Sequence, residues 1–144
     1  MTSNHHERPI DLVDTNIFIR YLTEDHEDHS ARAYRLFQAV GRGERVVTTT
    51  EGVLVEVVQV LSSKALYNLP RTKIRQELGR VLALVGFVLP HEATYLRALD
   101  LYGASNLDFV DCLNIAHLER ATFNAILSFD RGYDRIDATL RREP

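Results

Sequence analysis

Short apolar runs alternating with longer stretches of helical period constrain this chain more than any other feature. Ile10-Asp11-Leu12-Val13-Asp14, Arg45-Val46-Val47-Thr48-Thr49, Phe87-Val88-Leu89 and Asn124-Ala125-Ile126-Leu127-Ser128 read as buried strands. Between and after them, apolar residues recur with the spacing of one helix face. Ala33, Leu36, Phe37 and Val40 form one such face, and Leu54, Val57, Val58 and Leu61 another. Ile74, Leu78, Val81, Leu82 and Val85 form a third, and Phe109, Cys112, Leu113 and Ala116 a fourth. Pro70 marks a break between two helices, and Pro90 ends the third strand. Strands separated by helices need crossover connections, which make a parallel sheet covered on both faces. The expected fold is therefore α/β, a three-layer α/β/α sandwich with a central, mainly parallel sheet. In such sheets ligands collect beyond the carboxyl ends of the strands.

The 144 residues fit one domain, expected over 10–140, between a flexible polar leader at 1–9 and a short tail at 141–144. The leader lacks the cationic start and apolar centre of a signal peptide. No apolar run approaches the roughly 18 residues that span a bilayer, so no membrane role is expected. Cys112 is the single cysteine, which excludes an intramolecular disulfide and a cysteine-based zinc site and suits a reducing compartment, the cytoplasm. The formal net charge of −3 argues against simple phosphate neutralisation by a basic surface. Of 17 basic residues only Lys64 and Lys73 are lysines. Arginine suits bidentate phosphate contacts, although a codon bias explains the same count.

Four acids occupy positions where chemistry is expected. Asp14 closes the first strand, where it either caps the following helix or faces a ligand. Glu56 lies in the otherwise apolar run Val53-Leu54-Val55-Glu56-Val57-Val58, so a buried carboxylate in need of a partner is expected there. Glu51, which opens the same helix, reads as an ordinary first-turn acid. Asp108 and Asp111 share one helix face at i, i+3. Asp108 suits the cap, while Asp111 lies a turn deeper. Asp130 follows the fourth strand, with Asp134 and Asp137 beyond it, where Asp and Gly also serve turns. If the two strand ends open onto one edge of the sheet, with Glu56 and Asp111 projecting toward it, the carboxylates repel one another. A hard cation, Mg²⁺ or Mn²⁺, removes that conflict. It can also lower the pKa of a bound water and stabilise in-line displacement at a phosphodiester.

Leu12-Val13-Asp14-Thr15-Asn16, the helix around Glu56, Asp108-Phe109-Val110-Asp111-Cys112-Leu113-Asn114 and Leu127-Ser128-Phe129-Asp130-Arg131-Gly132-Tyr133 occur in this order. The pattern resembles the PIN domain, and most closely the VapC-like toxins of toxin–antitoxin pairs, from Ile10 to about Ile136. Each stretch alone is a weak signal; the four in order are specific. The resemblance implies a metal-dependent endoribonuclease with Asp14, Glu56, Asp111 and Asp130 as its acidic set, holding one or two Mg²⁺ or Mn²⁺ ions. It implies products with a 5′-phosphate and a 3′-hydroxyl, a homodimer, and a small cognate antitoxin protein as inhibitor. Thr15, Asn16, Asp108 and Asp134 are the auxiliary candidates, and Thr48 to Thr50 are further hydroxyls that could fix a water or a phosphate oxygen.

Two other readings are open. An aspartyl-phosphate phosphatase also begins with an acid at the end of its first strand, but wants a second Asp two residues later, where this chain has Asn16. A non-catalytic RNA- or protein-binding module would keep the fold without the chemistry. His26 and His29 have metal-ligand spacing but lie in a polar stretch that reads as a solvated helix start. His117, on the helix of Asp111, reads as a satisfied structural histidine. Arg131, Arg135, Arg141 and Arg142 are candidates for contact with RNA or antitoxin, the last two equally for a frayed tail. The apolar stretch from Leu61 through Leu66-Tyr67 to Leu69 is a candidate for part of a dimer face.

Overall fold

The first strand and the first helix share a boundary at Asp14. In the computed structural model, which describes residues 9–121, 123–136 and 139–144, β1 (Ile10–Leu12) ends just before it and α1 (Thr15–Thr23) begins just after. The chain continues through α2 (Glu27–Gly41), β2 (Val46–Thr48), α3 (Glu51–Ser62), α4 (Arg71–Leu82), α5 (Glu92–Ala104) and α6 (Phe109–Arg120). It closes with β3 (Ile126–Leu127), a 3-10 turn over Arg131–Arg135, and β4 (Arg141–Arg142). Most of the expected leader and Asp137 lie outside the described residues.

Local chemistry explains the helix starts. Asp14 Oδ1 accepts from the Thr15 N–H at 2.8 Å, and Thr50 Oγ1 accepts from the Val53 N–H at 3.2 Å. His26 caps α2 through Nδ1, which accepts from the His29 N–H at 3.1 Å. That ring nitrogen is thereby occupied, in keeping with a solvated helix start rather than a metal site.

All strand pairs among the described residues are parallel, in keeping with the α/β reading. Ile10 lies opposite Val46 and Leu12 opposite Thr48, and Ile126 lies opposite Arg141. The expected third strand is reduced to a parallel bridge from Phe87 to Val47. It is held by Val47 N–H to Gly86 O at 2.9 Å and Val88 N–H to Val47 O at 2.8 Å. Gly86 is needed there, because a Cβ would stand 2.1 Å from the Arg45 carbonyl oxygen.

The core joins the helices to β2. Phe18, Leu54, Leu78 and Ile115 are at most 1% exposed, and burial of each such side chain contributes about 1.5–3 kcal/mol. Phe18 packs its ring against Phe37 and Phe87. The four helical faces read from the sequence are buried, with Leu36 half-buried and one exception. Val85 is 79% exposed because α4 stops at Leu82.

Three expectations need correction. β1 is not a buried strand: Ile10 and Leu12 are 54% and 58% exposed, and β1 pairs with β2 alone among the described residues. Helix α5 has no counterpart among the four faces read from the sequence, yet it packs against both α4 and α6, with Arg97 bidentate to Glu119 across the latter contact. Arg141 and Arg142 are not a frayed tail. They pair with β3, and Arg141 also binds Asp134 and Glu143 and donates to the Ser128 carbonyl at 2.9 Å. Among the described residues no helix is long and apolar enough to cross a membrane.

Candidate active site

Each of the four acids has one carboxylate oxygen held by the protein and the other without a hydrogen-bond partner among the described residues. Asp14 is held by the backbone N–H of Thr15, the first residue of α1. Glu56 accepts from the hydroxyl of Thr15, so that single residue binds two of the acids. Asp111 Oδ1 accepts from the Tyr133 hydroxyl at 2.9 Å, and Asp130 Oδ1 accepts from the Gly132 N–H at 2.8 Å.

The acids thus fall into two pairs. Asp14 and Glu56 meet at Thr15, across the packing of α1 on α3. Asp111 and Asp130 both bear electrostatically on the Tyr133 phenol. β1 and β3 belong to separate two-stranded pieces, so strand pairing does not set Asp14 beside Asp130. Among the described residues no group of three or more His, Cys, Asp or Glu side chains is set to enclose a metal ion directly.

Glu56 is not buried, contrary to expectation. On a helix the apolar neighbours Leu54, Val57, Val58 and Leu61 turn inward together, while Gly52, Glu56 and Gln59 share the exposed side. Its apolar setting in sequence was therefore no measure of its setting in space.

A groove of about 880 Å³ runs past Asp111 and Asp108 and is walled by Gln59 and Ser62 of α3, with Asn68 and Arg71 beyond. Arg71 is already committed. Its guanidinium lies 3.7 Å from the centroid of the Tyr102 ring and donates to the carbonyls of Tyr102 and Leu107. Arg131 and Arg142 are exposed and make no ion pair among the described residues, whereas Arg135 donates to Asn106 Oδ1 at 2.7 Å.

The auxiliary candidates divide. Thr15 binds both members of one acid pair. Asn16 is exposed beside it on α1. Asp108 occupies the N-cap position of α6 but makes no cap hydrogen bond with its side chain, so it is a free exposed carboxylate. Asp134 is tied to Arg141 by two hydrogen bonds. Thr49 is buried and donates to the Val13 carbonyl at 2.9 Å, and Thr50 caps α3; both hydroxyls serve the fold. Leu61 is buried in the core and Tyr67 and Leu69 are half-buried, so Leu66, at 62% exposure, is the large apolar side chain openly presented from the stretch considered for a dimer face.

His117 is satisfied as expected, and its partner is Glu51, with Nε2 2.7 Å from Oε1. Burial pushes the Cys112 thiol up to about 11, which removes it as a nucleophile. Tyr133 and Asn114 carried no role in the sequence reading. Asn114 stands at i+3 from Asp111 on α6, a spacing that placed it on the same face. Nothing local singled out Tyr133. Burial is the main cause that holds its phenol above the ordinary range; the Asn114 amide opposes it and the Asp111 carboxylate reinforces it.

The free donor atoms of the four acids are all oxygens, the set a hard divalent cation prefers. Mg²⁺ keeps several waters and is commonly bound through one or two carboxylates together with substrate phosphate, so a closed cage is not required. The chemistry of these oxygens fits such an ion, which Asp14, Glu56, Asp111 and Asp130 would hold directly or through water.

A family model described as PIN domain matches residues 12–139, which includes every acid of the set. The chain is 33% identical over 126 residues to Ribonuclease VapC13 of Mycobacterium tuberculosis, spanning 85% of this chain and 92% of that protein. The same identity and coverage relate it to VapC ribonuclease Mb1869c of Mycobacterium bovis.

Proposed function

As the chain belongs to the PIN domain family, we propose that it is a metal-dependent endoribonuclease, the toxin of a toxin–antitoxin pair, with Asp14, Glu56, Asp111 and Asp130 as its acidic set. The observation that carries the site assignment is the free oxygen on each of these four carboxylates, its partner oxygen being fixed by the protein. The two relatives' names supply the substrate class, RNA.

When bound, Mg²⁺ or Mn²⁺ supplies positive charge at the scissile phosphate and lowers the pKa of the attacking water. The chain's own residues hold the geometry. Thr15 orients Asp14 with its backbone and Glu56 with its side chain. Gly132 orients Asp130, and Tyr133 orients Asp111. The groove past Asp111 receives the RNA strand, and Arg131 and Arg142 are free to meet its backbone. Water adds across the P–O3′ bond, leaving a 5′-phosphate and a 3′-hydroxyl. The reading includes a homodimer in the cytoplasm and inhibition by a small cognate antitoxin protein.

Purified chain should cleave RNA when Mg²⁺ or Mn²⁺ is added and stop when EDTA is added. Cleavage that persists in EDTA contradicts the metal requirement. Absence of cleavage in either metal, with tight binding to a partner, supports a binding module in place of an enzyme.

A further inference from the structure

We infer that Tyr133 is a positioning residue for Asp111, acting through its hydroxyl with Asn114 as the second partner of that hydroxyl. The inference rests on the reading of Asp111 as a metal-holding acid. Tyr133 is 4% exposed, and its ring belongs to the core. Core packing needs the ring but not the oxygen, since burying a hydroxyl is unfavourable unless it is hydrogen-bonded. Here the oxygen has two partners. Asn114 Nδ2 donates to it at 2.9 Å, and it donates to Asp111 Oδ1 at 2.9 Å.

The direction of this chain follows from the donors available. A phenol has one hydrogen, and an ionised carboxylate can only accept. With the amide of Asn114 donating to the phenol oxygen, the phenol hydrogen is directed to Asp111. A half-buried Asp in the first turn of α6 otherwise has several rotamers open to it. The bond from a ring fixed by packing selects one of them and leaves Oδ2 free. Tyr133 also belongs to the 3-10 turn that Asp130 caps. One side chain therefore joins the element that carries Asp130 to the carboxylate of Asp111. A Phe at this position would fill the same space but would leave Asp111 free to rotate.

The test compares the full chain with Tyr133→Phe, Asn114→Ala and the double variant, each checked for folding by far-UV circular dichroism. Mn²⁺ affinity is measured on the protein without RNA, from the electron paramagnetic resonance signal of free Mn²⁺. Cleavage is then measured as separate kcat and KM. Tyr133→Phe should bind Mn²⁺ about 10-fold more weakly, the scale on which partners of metal-holding groups act. Its kcat should fall while KM for RNA holds. The double variant should be no worse than Tyr133→Phe, because both changes remove one hydrogen-bond chain. Wild-type Mn²⁺ affinity in Tyr133→Phe overturns the inference while leaving the nuclease reading intact. A wild-type chain that neither binds Mn²⁺ nor cleaves RNA overturns both. If Tyr133→Phe does not fold, Asn114→Ala at its exposed position decides: weakened Mn²⁺ binding supports the inference and unchanged binding overturns it.

Discussion

The Thr15 hydroxyl donates to the Glu56 carboxylate across 41 positions of sequence, tying the first turn of α1 to the middle of α3. The same residue's backbone N–H holds Asp14. Removal of the hydroxyl should therefore affect chemistry more than stability. Thr15→Val keeps the shape of the side chain and should slow RNA cleavage about 10-fold, with a loss of unfolding free energy of about 1 kcal/mol. Thr15→Ser should retain most activity. Cleavage rates and urea unfolding of the two variants check this, and equal slowing by Val and Ser would contradict it.

Gly132 lies against the carboxylate it orients. A Cβ there would stand 3.0 Å from Asp130 Oδ1 and 3.2 Å from Leu107 Cδ2. Both are closer than ordinary van der Waals contact, so the Asp130 side chain would have to move by a few tenths of an ångström. Gly132→Ala should fold with a modest loss of stability, about 1 kcal/mol, and lose cleavage activity disproportionately. A variant that matches wild-type kcat would show that the setting of Asp130 is not critical.

Asp25 gives the fold an acid-sensitive clasp. Tyr67 donates to one carboxylate oxygen, and Thr23 and Arg20 donate to the other at 3.0 Å each. The Tyr67 hydrogen bond is the main cause that lowers the Asp25 carboxyl to about 2. A carboxyl whose folded pKa lies below its unfolded value adds stability above the unfolded value, about pH 4. That contribution is lost as pH falls toward 2. Urea midpoints measured between about pH 5 and pH 2 should therefore fall less steeply in Asp25→Asn than in the wild type. Identical slopes would remove Asp25 from the acid response.

The Glu51–His117 pair joins α3 to α6 and shares no hydrogen bond with the acid set among the described residues. Its side chains are 43% and 27% exposed, so water screens the pair and its contribution to stability is about 1 kcal/mol or less. Glu51→Gln should cleave RNA at the wild-type rate. A large loss of activity would place this pair in the site.

Periodicity made the helix faces legible, because the residues that repeat at helical spacing are those that meet in the core. Strand lengths were less legible. An apolar run states a preference, whereas pairing and burial depend on partners elsewhere in the chain, and β1, paired with β2 alone among the described residues, leaves Ile10 and Leu12 exposed. Helix α5 buries Ala98, Leu99, Leu101 and Tyr102, a face that is not among the four legible in the sequence. Glu56 stands in an apolar run of sequence, yet its apolar neighbours turn inward and leave it exposed, so the run does not report its burial. The partners that hold the acids were largely invisible. Tyr133 comes from 22 positions beyond Asp111, and no local pattern links residues so far apart.

The central claim is that the four carboxylates act as one metal-dependent unit, and their removal one at a time tests it most directly. RNA cleavage at saturating Mn²⁺ should be measured for the wild type, Asp14→Asn and Asp111→Asn, one from each acid pair. Both variants should fold and both should lose cleavage by about 100-fold or more. Retained cleavage in either variant would contradict the claim.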